Sequence, residues 1–341
     1  MAGEAATWKQ VRAAAAAVPD IEAAVLELSG WSKAEIDARV DSLTKALSLD
    51  DTAYALRALL EIMLMRNRVR VSEELPAEIQ FRLLEVMWLR QWSPDELKDA
   101  LSSVRTRLPT VENHAGAQLE ALYEIAVTYR RLRAPRHWPG RAERGQCAEL
   151  MWLTGLSEKE THQAAADAHQ RFGFGRGEIG KALDALRQIE VIYKQTPFGE
   201  EFTEQTARTL AEVMWLRNWD QERVLAETAG LRERLGLGSD AQAIDSVHAI
   251  CMRCGGKERP NAVTEALDEI CGGVAVRQGR YEEDLMAFAE YMWLGEHSPQ
   301  QALAKLGRFA RVNEASLGQT LEVMLELERQ RFREEREAQG Y

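Results

Sequence analysis

The chain is poor in the residues that punctuate β-structure and staple small folds, with 9 prolines and 4 cysteines in 341 residues. No run approaches the roughly 18 apolar residues of a spanning helix. The cysteines, Cys147, Cys251, Cys254 and Cys271, are too few and too clustered for a secreted disulfide framework, which points to a reducing compartment. The histidines, His114, His137, His162, His169, His248 and His297, form no ligand pair with a carboxylate at a recognised spacing. No Ser-His-Asp or Cys-His grouping has a motif around it. Nothing here argues for an enzyme, and no cofactor is implied. Basic residues are outnumbered, 43 Lys and Arg against 54 Asp and Glu, for a net charge of −11. Coating of nucleic acid or of an anionic membrane needs a basic face, so the bulk composition is against both. The expectation is a soluble, intracellular protein of the cytoplasm or an organelle lumen. The run Ala13 to Ala17, flanked by Glu4 and Asp20, reads as helix and not as a signal segment.

Apolar residues make up 45% of the chain and charged ones 28%, enough for a real core. One stretch recurs. Leu84-Glu85-Val86-Met87-Trp88-Leu89 returns as Ala148 to Leu153, Ala211 to Leu216 and Ala289 to Leu294, with Met-Trp pairs 64, 63 and 78 residues apart. A worn copy, Leu26 to Glu35, places Trp31 61 residues before Trp92. Self-similarity at a fixed period marks a repeat architecture. With few strand signals, the expected fold is an all-α, α-solenoid-like tandem array of about five three-helix repeats of roughly 63 residues. The expected boundaries are a capping helix over 1–19 and repeats over 20–75, 76–138, 139–199, 200–280 and 281–341. The fourth carries an inserted or duplicated helix, expected as a kink or hairpin between about Ala241 and Gly273, and the fifth a charged tail.

Each unit follows one grammar: a helix with the Met-Trp pair, a tight turn, a second helix, a loop and a third helix. Ser32, Ser93, Ser157 and Ser298 stand three residues before Glu35, Glu96, Glu160 and Gln301, the spacing of a capping box. Asp220 fills that place in the fourth unit. Met, Trp and Leu in succession point around most of a helix. Trp88, Trp92, Trp152, Trp215, Trp219 and Trp293 are accordingly expected as structural core, the four Met-Trp residues in equivalent, largely buried sites.

Two patterns carry chemistry. His248, Cys251, Cys254 and Cys271 supply three thiols and an imidazole, the donors of a tetrahedral zinc site, but with one cysteine where a second pair belongs. Packing cysteines in a duplicated helix are the preferred reading, with no metal. Arginines gather at third-helix ends, as Arg66, Arg68 and Arg70, then Arg130, Arg131, Arg133 and Arg136, then Arg329, Arg331 and Arg333. Cations there meet the helix dipole; in a regular stack they would also align as a basic edge. Gly173-Phe174-Gly175-Arg176-Gly177 follows a helix, not a strand, and reads as an inter-helix loop.

The half-unit from Trp92 to Pro109 resembles the helical repeat of mitochondrial transcription-termination factors, over half of each unit and at half the period. The run Trp88 to Asp95 is similar to the tryptophan-tyrosine modules of oomycete effectors. Neither resemblance assigns the chain to a family. The expected function is a non-catalytic helical-repeat scaffold that mediates protein–protein interaction or assembly. The alternative is an RNA- or DNA-binding repeat protein using the arginine edge.

Overall fold

The computed structural model describes residues 8–49, 51–69, 75–108, 111–112, 114–132, 140–254, 281–313 and 316–339. Those residues form sixteen α-helices and no strand. The chain divides into two compact units, Met1–Ala164 and Ala165–Tyr341. The first holds α1 (Trp8–Ala16), α2 (Ile21–Ser29), α3 (Lys33–Leu47), α4 (Thr52–Arg66), α5 (Ala77–Arg90), α6 (Pro94–Arg107), α7 (Ala115–Arg131) and α8 (Arg141–Thr154). Helix α9 (Glu158–Arg171) spans the division. The second unit continues with α10 (Ile179–Gln195), α11 (Glu204–Arg217), α12 (Gln221–Leu235), α13 (Asp240–Arg253), α14 (Tyr281–Leu294), α15 (Pro299–Asn313) and α16 (Leu317–Ala338). No described helix is long and apolar enough to cross a membrane.

The helices begin where side chains satisfy the free amides of a first turn. In α3 and α6 both halves of the capping box form: the Ser32 and Ser93 hydroxyls accept from Glu35 and Glu96 N–H, and those carboxylates accept from the serine amides at 2.7 Å. Ser157 with Glu160 and Ser298 with Gln301 repeat the exchange, and Asp220 accepts from Arg223 N–H at 2.8 Å. Asp51, His114, Ser239 and Ser316 cap α4, α7, α13 and α16, four caps that the sequence reading did not name. The Met-Trp helices end on a left-handed residue: Gln91, Gly155 and Asn218 at φ 58, 73 and 55°. Gly30 takes the same conformation after α2.

Along α5 every residue from Leu84 to Leu89 is buried, as expected for a helix apolar on several sides. Helix α4 is buried from Ala58 to Met63. In the second unit one apolar cluster runs from Leu210 on α11 through α12, α13 and α14 to Leu325 on α16. Of the stretch expected to hold an inserted helix, only α13 is described, and it packs against α11, α12 and α14. Residues 255–280 lie outside the described residues.

Gly155 has nothing within 4 Å of where a Cβ would stand, so Gly155→Ala meets only backbone strain. It is expected to lose about 1–2 kcal/mol in urea denaturation. Gly307, equally uncrowded and without a positive φ, gives the opposite sign: Gly307→Ala gains about 0.5–1 kcal/mol.

Candidate interaction surfaces

The Met-Trp tryptophans reach back along the chain. The Trp88 indole N–H donates to the Glu61 carboxylate on α4 at 2.8 Å, Trp152 to that of Glu124 on α7 at 2.7 Å, and Trp215 to the Gln188 side-chain Oε1 on α10 at 3.0 Å. The acceptor stands 27, 28 and 27 residues before its tryptophan. In each case it lies ten residues after its helix's N-cap, Asp51, His114 or Glu178. An indole N–H buried without an acceptor is costly, so this bond fixes the register of each Met-Trp helix on the helix before it.

The glutamate three residues ahead of the Met-Trp tryptophan makes a second link in three of the four copies. Glu85, Glu149, Glu212 and Glu290 are all buried. Glu149 pairs with Arg107 at 3.0 Å, Glu212 with Arg171 at 3.0 Å, and Glu290 with Arg234 at 3.7 Å. These arginines stand fourteen residues after the caps Ser93, Ser157 and Asp220. Glu290 also takes a two-pronged bond from Arg329, at 2.8 and 2.9 Å. Glu85 is served by Arg82 from its own helix at 2.8 Å. Burial outweighs the Arg82 and Arg39 guanidinium groups and pushes the Glu85 carboxyl up to about 7. The sequence carries both signals, in the glutamate of each Met-Trp copy and in the arginine before each inter-helix loop, but a glutamate inside an apolar motif reads as a solvated position.

Burial of the tryptophans is uneven, which corrects the expectation of four equivalent interior sites. Trp88 is 2% exposed, whereas Trp152, Trp215 and Trp293 are half-buried. Trp88 has Tyr54 against its ring at 6.4 Å, the Arg130 guanidinium over it at 5.2 Å, and Arg12 of α1 beside its acceptor Glu61 at 3.7 Å. Trp215 rests on Phe172 and Trp293 on Phe332. Trp219 is buried; Trp92 is half-buried under the Arg90 guanidinium and accepts the Trp8 indole N–H on its carbonyl at 2.9 Å.

Among the described residues, five of the arginines named for a basic edge are held by acids, a hydroxyl or backbone carbonyls. Arg329 is held by Glu290, Arg331 by Glu328 at 3.0 Å and the Leu294 carbonyl, and Arg333 by the Arg234 carbonyl and Glu326. Arg130 donates to the Tyr54 hydroxyl, and Arg131 to the Lys45 carbonyl. Each long side chain folds back onto neighbouring helices because acids and carbonyl ends wait there. Arg66 and Arg68 are exposed; Arg70, Arg133 and Arg136 lie outside the described residues.

His248 meets the Glu212 carboxylate at 2.8 Å. Cys251 and Cys254 are buried; burial pushes both thiols up, Cys254 to about 12. Cys254 Sγ touches the Leu285 carbonyl and Met286 Sδ. Among the described residues no three His, Cys, Asp or Glu side chains converge on one point, and Cys271 lies outside them. In the glycine-rich loop, the Gly175 amide donates to the Glu178 carboxylate at 2.7 Å, so an acid already stands where a phosphate would be cradled. Compared with protein-family models, curated proteins and solved structures, the chain has no match.

Trp88→Phe keeps an aromatic ring but loses the pyrrole half of the indole and strips a buried carboxylate of its donor; the lost donor alone is expected to cost about 1–3 kcal/mol. At the half-buried Trp215 the same loss of the donor costs under about 1 kcal/mol, because water replaces the indole at Gln188. Glu85 sets a pH dependence. Its folded value is raised from 4.5 to about 7, so its contribution is present below pH 4.5 and is lost as pH rises through about 7. The loss is on the order of 3 kcal/mol. Urea midpoints across that range should fall for the native chain and stay flatter for Glu85→Gln.

Proposed function

We propose that the chain is a non-catalytic scaffold, a tandem array of about five three-helix repeats that mediates protein–protein interaction or assembly. The repeats are α2–α4, α5–α7, α8–α10, α11–α13 and α14–α16, with α1 as an added helix packed on α4. The observation that carries the reading is the repeated link between successive Met-Trp helices and the helices before them. Three indole bonds and three Arg–Glu pairs recur at fixed register. Such links hold a repeat surface in one shape, and extended repeat surfaces suit macromolecular partners. The pairing of Arg329, Arg331 and Arg333 with acids and backbone carbonyls and the charge of −11 favour a protein partner over polynucleotide.

Fluorescence anisotropy with labelled single- and double-stranded RNA and DNA tests the choice. The scaffold reading predicts no saturable binding at about 50 mM salt. Binding that weakens steeply by about 200 mM would favour the nucleic-acid alternative instead.

A further inference from the structure

The third helix of each repeat offers the next one a constant face. Counted from the N-cap, position seven is Ala58, Ala121, Ala185 and Ser246 in the first four repeats, and position eleven is Ile62, Ile125, Ile189 and Ile250. All eight are buried. The tryptophan acceptors at position ten lie on the same side, since residues three and four apart share a helix face. On α16, capped by Ser316, the same positions are Val323, Glu326 and Leu327. Here Val323 is 50% and Leu327 51% exposed. At the end of α15, where α6, α9 and α12 carry an arginine, stands Val312, 82% exposed. A groove of about 620 Å³ on α15 is lined by Leu303, Gly307, Ala310 and Leu317 together with Arg308 and Arg311.

We propose that this face of α15 and α16 is a docking site for an amphipathic helix of a partner protein, one that presents a tryptophan to Glu326 and apolar residues to Val323 and Leu327. The proposal rests on the scaffold reading and names its surface. The register supplies the first argument: every earlier third helix takes a helix here, three of them with an indole on position ten. The carboxylate that would accept that indole is present, held by Arg329 and Arg333 at 3.4 and 3.2 Å.

Charge decides the occupant. Exposed Glu322, Glu326 and Glu334 flank the apolar pair on α16, where Arg329 and Arg333 are shared between Glu326 and the body of the protein and Arg331 is taken by Glu328 and Glu335; the exposed cations Arg308 and Arg311 stand on α15. Two copies meeting through α16 would set these acids against each other. A head-to-tail copy is opposed as well, because the first repeat has Glu27 where the others have tryptophan and Ala24 where they have the buried glutamate. Glu27 would then face Glu326. The fitting helix therefore belongs to another protein, carries basic residues on the flank that faces α16, and needs an apolar residue opposite Val312 where the internal copies use glutamate.

The probe is a stapled, labelled peptide of residues 204–219 with Glu212→Leu and lysines on the flank that faces α16, titrated with the full chain by anisotropy. Binding at about 10–100 μM is expected. Leu327→Asp should weaken it about tenfold or more, and Glu326→Lys by a few-fold through the indole and the flanks. Trp215→Ala in the peptide should abolish it. Both protein substitutions are at exposed positions, and circular dichroism confirms that the variants fold. Absence of binding, or binding that Leu327→Asp leaves unchanged, overturns the proposal. A native dimer in light scattering that Leu327→Asp dissociates overturns it too, in favour of a second copy. The oligonucleotide titration reads the scaffold proposal separately, so either can fail alone.

Discussion

A carboxylate taken out of water must find a cation or give up its charge, and that constraint organises the helices. Glu149, Glu212 and Glu290 are buried among apolar neighbours on the Met-Trp helices, yet each draws an arginine from a helix earlier in the chain. One turn further on, the indoles of Trp88, Trp152 and Trp215 need an acceptor and also find it on an earlier helix. A Met-Trp helix is consequently incomplete without the helices before it. Apolar burial drives the association; these polar contacts select the register, because a slip of one residue would strand both groups.

The same demand governs what is left for the surface. Arginines that could have formed a cationic ridge are drawn to buried acids and to carbonyl ends, as Arg329 is to Glu290 and Arg333 to the Arg234 carbonyl. Acids without such partners, among them Glu322 and Glu334 of α16, are exposed. Charge on the outer face is thus a residue of how the interior is satisfied.

Much of this was legible from sequence. Helix starts followed from capping chemistry that is local to four residues, as in Ser93-Pro94-Asp95-Glu96, and the all-helical class followed from periodicity. The linking pairs were less visible because they join residues about 27, or 41 to 56, apart, and nothing in Glu149 or Arg107 alone announces the other. Uneven tryptophan burial was hidden for a related reason. Four copies of Met-Trp look alike in sequence, but Tyr54, Arg12 and Arg130 surround Trp88 alone. The partners of the arginines were not legible: position at a helix end predicts where a guanidinium starts, not where a long flexible stem carries it.

The measurement that tests the linking role most directly is a double-mutant cycle on Arg107 and Glu149, which meet at 3.0 Å. Urea denaturation of Arg107→Met, Glu149→Leu and the double variant gives their coupling. A structural link between α6 and α8 predicts a coupling of at least about 1 kcal/mol in favour of the pair. Losses that add to within about 0.3 kcal/mol would show that the pair joins nothing, and that apolar packing alone sets the register.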